Sequence, residues 1–245
     1  AEEEPGGPSR GAQGGAIAID ADSTHLSGDI TTQVYVVAAA VAIGGVAGAG
    51  GRAIVDIDNT VEAVASNSDL TASGAVTVDA DSQHYAEPYI FGLAGSTGIS
   101  VAATVAEANI GGATRAYVDG QSTISSAGAL NVTADSLAFA TPSGESIAVG
   151  LGVGVALAEF AAHVDRETAA YVGTRTGDAA TGLGTVDLGN QQLNIRSNAN
   201  LQAVADNFAG GFGLLAGASA SRSTAIVEGA TLAYVGEGQQ VNAGG

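Results

Sequence analysis

The chain contains no cysteine, methionine or tryptophan, and each of its seven basic residues is arginine. Without cysteine it has neither a disulfide framework nor a thiolate metal site. Seven cations stand against 25 Asp and Glu, for a formal net charge of −18. That argues against nucleic acid as a partner, because phosphate recognition needs clustered Lys and Arg. Aromatic residues make up 4% of the chain and there are only 4 prolines, so large side chains cannot form the core. Small residues are abundant instead: 37 glycines, and a hydrophobic share of 46% that is mostly Ala and Val. Such residues suit a thin core between closely spaced strands. A lysine-free acidic surface suits salty water, and a biased genomic base composition gives the same signature.

Two runs lack charge, Val34 to Gly50 and Ile147 to Ala158. The first is crowded with Gly and Ala and the second is short for a helix, and neither has basic flanks. No membrane span is expected. The opening Ala-Glu-Glu-Glu-Pro has no Met and no signal peptide, so the chain reads as a processed product or an excised segment. Pro5-Gly6-Gly7-Pro8 marks a linker, placed over residues 1–14.

The dominant feature is internal repetition, the sign of a stacked architecture. Gly74-Ala75-Val76-Thr77-Val78-Asp79-Ala80-Asp81-Ser82 matches Gly128-Ala129-Leu130-Asn131-Val132-Thr133-Ala134-Asp135-Ser136. An earlier copy starts at Gly15 and a weaker one at Gln191. A second motif keeps step: Thr-Arg-Ala-Tyr117-Val, Thr-Ala-Ala-Tyr171-Val and Thr-Leu-Ala-Tyr234-Val, with a degenerate first copy at Val61 to Ala65. Six residues before the motif's Ala stands an aliphatic, Ile57, Ile110, Val164 or Val227. The repeats define four units of about 54–63 residues (15–73, 74–127, 128–190 and 191–240), with a fifth opening at 241. Tyr117, Tyr171 and Tyr234 are expected at equivalent positions. Between the motifs, Ile147 to Val155 alternates Gly or Ala with aliphatics at period two, which is strand spacing. Glycine is poor within strands, so its abundance points to close approach of another backbone.

Leu70 to Val78 and Ile124 to Val132 read as strand, tight corner, strand, with Gly74 and Gly128 at the corners. The pattern aliphatic-x-Ser/Ala-x-Gly-x-aliphatic-x-aliphatic-x-Ala over residues 15 to 245 resembles the rungs of filamentous-haemagglutinin-like passengers. The longer unit resembles repeats of giant bacterial adhesins and leukotoxin-like surface proteins. The resemblance implies an all-β, right-handed parallel β-helix. Since these units exceed a single rung of that family, each is expected to hold two or three coils. The alternatives are a β-sandwich array or an open β-roll, with helix open over Ala156 to Glu167.

Chemistry is sparse. Asp20/Asp22, Asp79/Asp81 and Asp135 recur at strand ends, where oxygen clusters could hold Ca²⁺. The fourth copy has Arg196 and Asn198 instead, so the row also reads as a solvated strand end. No other cofactor is expected. For a polysaccharide-degrading enzyme, the best local carboxylates are Asp56, Asp58, Asp165 and Glu167 with Arg166. Asp165-Arg166-Glu167 reads rather as a surface turn with a local ion pair. No interruption of the repeats with chemical character stands out. His25 and His84 each lie three residues past an aspartate, Phe139 takes that place in the third copy, and His163 stands apart. Partly exposed strand positions are expected for these histidines. Asn131-Val132-Thr133 is a glycosylation sequon of chance origin, and neither a nucleophile elbow nor a phosphate loop occurs. The expectation is a non-catalytic structural module of an extracellular bacterial fibre or adhesin. Its partners would be neighbouring repeats or other copies of the protein. A lateral face that binds a glycan or a host protein is the alternative.

Overall fold

The computed structural model describes residues 10–22, 32–180, 182 and 184–244. Among these residues the regular structure is all strand, and the pairing between strands is parallel throughout. The chain is laid down in four layers. The first holds β1 (Arg10–Gly14), β2 (Ile17–Asp22) and β3 (Thr32–Ala65). The second holds β4 (Ser68–Ala72) and β5 (Val76–Val118). The third holds β6 (Thr123–Ser126), β7 (Leu130–Ala140), β8 (Ser143–Gly150) and β9 (Val153–Val172). The fourth holds β10 (Gly184–Asp187), β11 (Leu193–Ala203), β12 (Asp206–Gly213) and β13 (Ala216–Val235), and β14 (Gln239–Asn242) follows.

Each strand pairs with its counterpart in the adjoining layer. Ile17 pairs with Val76, Val76 with Leu130 and Leu130 with Leu193. The short strands form a sheet of their own in the order β1-β4-β6-β10-β14. This architecture fits the β-solenoid class. Two expectations need correction. Pairing partners lie one whole unit apart, so a unit makes a single turn of the stack and not two or three coils. Arg10–Gly14, assigned to the linker, is a strand paired in register with Ser68–Ala72. The helix considered over Ala156 to Glu167 is part of β9.

A single turn can use more than fifty residues because it is a long flat loop. Along β5 the side chains alternate between buried and less buried for nearly its whole length, as a pleated strand with one covered face requires. The strand doubles back near Gly95–Gly98, and its two arms lie face to face. Ala94 packs with Ala102, and Ile90 with Ala106. Nearer the base, the Ser82 and Thr114 hydroxyls are 2.6 Å apart.

Side-chain volume sets the thickness of this sandwich. At the base, where β4 and β6 form a third wall, the core holds Val76, Val78, Val118, Ile124, Leu130 and Val132. At the far end the buried residues are alanines: Ala47, Ala49, Ala94, Ala102, Ala148 and Ala156. The layer therefore tapers to a thin edge. A Cβ on Gly92 would lie 2.7 Å from the Thr104 methyl across the gap, and one on Gly154 would lie 2.9 Å from the Ala148 carbonyl oxygen. At Gly154 close backbone approach is the reason for glycine, as the spacing of the Gly-rich stretch anticipates.

Candidate functional site

The predicted repeat positions fall into columns running along the stack. Ile57, Ile110, Val164 and Val227 are consecutive register partners. Tyr117, Tyr171 and Tyr234 are likewise partners, with Val64 ahead of them. Their rings stack with centroids 4.7 and 5.2 Å apart and planes inclined by 6°. Tyr171, between the other two, is buried, and loss of water pushes its phenol pKa up. Burial raises the pKa of Tyr117 as well. Gly74 and Gly128 occupy the corners before β5 and β7, stacked above Gly15.

The flank carrying the tyrosines also carries a charge network. Arg115 donates to Glu62 in the layer below (2.8 Å) and to Glu167 in the layer above (3.0 and 3.2 Å). Arg175 also reaches Glu167, at 2.5 Å. Hydrogen bonds from Arg115 are the main cause that holds the Glu167 carboxyl below its ordinary pKa. Just past this network the repetition is interrupted. Where five residues link Val118 to Ile124, the third layer spends thirteen between Val172 and Val186. The inserted loop packs on the last tyrosine, the Thr176 amide donating to the Tyr234 hydroxyl at 2.9 Å. A recess of about 510 Å³ lies there, lined by residues 174–178 and 234–237. This loop interrupts the repetition, and its one signal in the sequence is the longer third spacing.

Asp119 at the neighbouring corner ties two layers together. It accepts from the hydroxyls of Ser66 and Ser122 and from the amides of Asn67 and Gln121. Burial opposes ionisation of this carboxyl, but the hydrogen bonds outweigh it and its pKa falls. Asn67, which it anchors, has a φ of 45°, left-handed geometry that asparagine tolerates better than most residues.

The aspartates form two columns on the opposite arm. Asp20 and Asp79 lead to Thr133 and Arg196; Asp22, Asp81 and Asp135 lead to Asn198. Among the described residues no three His, Asp or Glu side chains converge at metal-ligand spacing. Asn131 of the sequon accepts from Asn194 at 2.9 Å.

Two sequence expectations are overturned within the core. Asp165-Arg166-Glu167 is no surface turn. It lies in β9, and Arg166 is fully buried between the arms. Its guanidinium reaches down through two layers. It donates to the carbonyls of Gly111 (2.6 Å) and Ala113 (3.3 Å), to the Asn59 amide oxygen (3.2 Å), and to the hydroxyls of Thr114 (3.1 Å) and Ser82 (3.3 Å). Gly111 and Gly112 fall outside the ladder with β9, and Gly112 has φ +96°. The arginine caps carbonyls around that irregularity. Burial lowers its pKa to about 10, and Asp58 partly offsets this. His84, expected to be partly exposed, is fully buried as well. Burial, and secondarily the Arg166 charge, pull its pKa down to about 4. The third-copy counterpart of His84 is Ala138, three residues past Asp135, and not Phe139, which pairs with Tyr85 and stacks on it at 5.2 Å. His163 is half-exposed and 3.6 Å from Glu228; His25 lies outside the described residues. Arg166, the cation expected beside Asp56, Asp58, Asp165 and Glu167, is thus enclosed in the core.

Comparison with family models, with curated proteins and with solved structures finds no match to this chain.

Proposed function

We propose that this chain is a structural repeat module of a bacterial cell-surface or secreted fibre or adhesin, with no catalytic role. In this reading it is a right-handed parallel β-solenoid of four units, 15–73, 74–127, 128–190 and 191–240, with a fifth opening at 241. The observation that carries the reading is the column. The same residue types recur at the same place in successive layers, buried aliphatics at Ile57, Ile110 and Val164 with Val227 next in line, and stacked tyrosines at 117, 171 and 234. A single layer cannot cover its apolar faces, whereas a stack makes one continuous core. Each layer presents a strand edge to the next, so the array extends by the pairing already in place. The resemblance to filamentous-haemagglutinin-like and giant adhesin repeats points the same way, toward self-assembly or adhesion outside the cell. The net charge of −18 keeps neighbouring arrays apart at low salt.

Electron microscopy and fibre diffraction of the purified chain, at low and high salt and with and without Ca²⁺, test the self-assembly arm. Filaments with a meridional repeat near ~4.8 Å are expected. A monodisperse monomer under all four conditions overturns it. A second reading, glycan or protein recognition on a lateral face, is favoured by one observation: the inserted loop closes a recess against Tyr234 at the point where repetition breaks. Aromatic rings beside polar groups suit sugar binding, and a glycan array compared with a Tyr234→Ala variant tests it.

A further inference from the structure

We infer that the thin edge of the sandwich inserts into the outer part of a phospholipid bilayer with zwitterionic head groups. The edge is apolar on its outside as well as its inside. In the two middle layers, where the exposure does not come from the ends of the stack, Ile99 is 50% exposed, Val149 47%, Leu151 62% and Leu157 44%. Ile99 and Leu157 lie on the returning arm, Val149 on the outgoing arm and Leu151 at the turn between them. A water-soluble surface does not ordinarily gather such a patch without a partner.

Three features select lipid over a protein surface. First, both flanks and the third layer's turn at Leu151 are apolar together, with Ser96 and Thr97 the polar residues at the second layer's turn. A docking protein covers one flank, whereas a hydrocarbon medium surrounds all three. A second copy would also bring another 18 negative charges close to the first. Second, the charged residues stop at a common level. Residues 88–106 and 146–158 carry none, and the bounding groups are Glu87, Glu107, Glu145 and Glu159. Arg52 pairs with Glu107 at 2.8 Å on this rim and Arg222 with Glu159 at 3.3 Å. From Glu145 to Leu151 is six residues, or about 20 Å of strand. That depth passes the head groups and enters, without crossing, a hydrocarbon core about 30 Å thick. Third, the backbone at the turn is satisfied from layer to layer, as hydrocarbon demands. Leu151 donates to the Ser96 carbonyl and Gly152 to that of Gly98, both at 3.0 Å.

The test is flotation with phosphatidylcholine vesicles in a sucrose gradient, together with a Leu151→Trp variant as reporter, since the chain has no tryptophan of its own. The wild-type chain is expected to float with the vesicles at low and high salt, and more weakly with anionic vesicles at low salt. The indole emission of the Leu151→Trp variant is expected to shift to the blue and to be quenched by brominated acyl chains. A Val149→Asp/Leu151→Asp double variant, altered only at exposed side chains, is expected to keep its circular dichroism and melting and to lose at least tenfold in vesicle partitioning. If that variant folds poorly, Ile99→Gln with Val101→Gln on the other flank gives the same reading. Wild-type chain that stays at the bottom of the gradient overturns the inference. So does a folded double variant that floats as well as wild type, or a wild-type dimer that these substitutions disperse.

Discussion

Replacing Gly128 by alanine separates two explanations of the corner glycines. A tight corner suggests that glycine is there for a left-handed φ. Gly74 and Gly128, however, are not among the positive-φ glycines; Gly189, with φ +56°, is. The constraint at Gly128 is the layer beneath. A Cβ there would lie 2.5 Å from the Ala75 nitrogen and 2.8 Å from the Gly74 carbonyl oxygen, and one on Gly74 would meet the Gly15 carbonyl oxygen. Backbone atoms cannot swing aside as a side chain can, so the layers must separate at the corner. Overpacking of this kind costs about 1–3 kcal/mol, which in a chain of this size lowers the melting temperature by roughly 2–4 °C per kcal/mol. Gly128→Ala should therefore melt about 2–12 °C below wild type, and Gly128→Val lower still. Gly15 heads the same column, and a Cβ there meets nothing within 4 Å. Gly15→Ala should leave the melt unchanged or raise it slightly, because alanine also restricts the unfolded chain. Thermal unfolding followed by circular dichroism reads all three variants. Equal losses for Gly15→Ala and Gly128→Ala, or no loss for either, would refute the stacking argument.

Tyr171→Ala removes two ring stacks and a buried aromatic, and should destabilise by about 3–5 kcal/mol in urea titration. Tyr234→Phe removes only the bond from the Thr176 amide, so hydrogen exchange at that amide should accelerate while global stability falls by about 1 kcal/mol or less. Arg166→Met takes the donors from the Gly111 and Ala113 carbonyls inside the core, and should cost about 2–4 kcal/mol in the same titration. His84, whose pKa is lowered to about 4 from 6.5 in the folded chain, makes stability depend on acid. Its contribution is fully present above pH 6.5. It is lost progressively as the pH falls toward 4, because over that window the unfolded chain binds a proton that the folded chain refuses. The loss is about 3 kcal/mol, and a His84→Leu variant should show a flatter urea midpoint between pH 6.5 and 4.5.

The repeat was legible because each copy occupies one layer, and equivalent residues meet the same neighbours. Val76, Leu130 and Leu193 share a pattern in sequence and a column in space for that reason. The number of coils in each unit was not legible. Alternation at period two shows which face of a strand is buried, but it does not show that β5 doubles back near Gly95 and covers its own inner face. The buried polar residues were partly readable. Continuing the alternation of Val76, Val78 and Ala80 brings Ser82 and His84 to the inner face, and comparing Asn59, Gly112, Arg166 and Gly229 down their column marks the arginine as the exception. What the pattern could not supply was Arg166's set of acceptors. Those come from the Gly111–Gly112 irregularity and from two layers at once, a three-dimensional coincidence without local spacing.

Composition and shape meet at the thin edge. Two sheets with ordinary core residues pack about 10 Å apart, and holding such a gap open over arms of about twenty residues would need large side chains that this chain scarcely has. Filling it with alanine brings the sheets closer, and a position such as Gly154 then becomes a place where no Cβ fits. A thin sandwich buries little apolar area per residue on its inner faces, so inter-layer hydrogen bonding carries more of the cohesion, and that bonding needs an uninterrupted parallel register. The alanine interior sets the arms' spacing, and Ile99, Val149, Leu151 and Leu157 are left to answer to whatever medium lies outside.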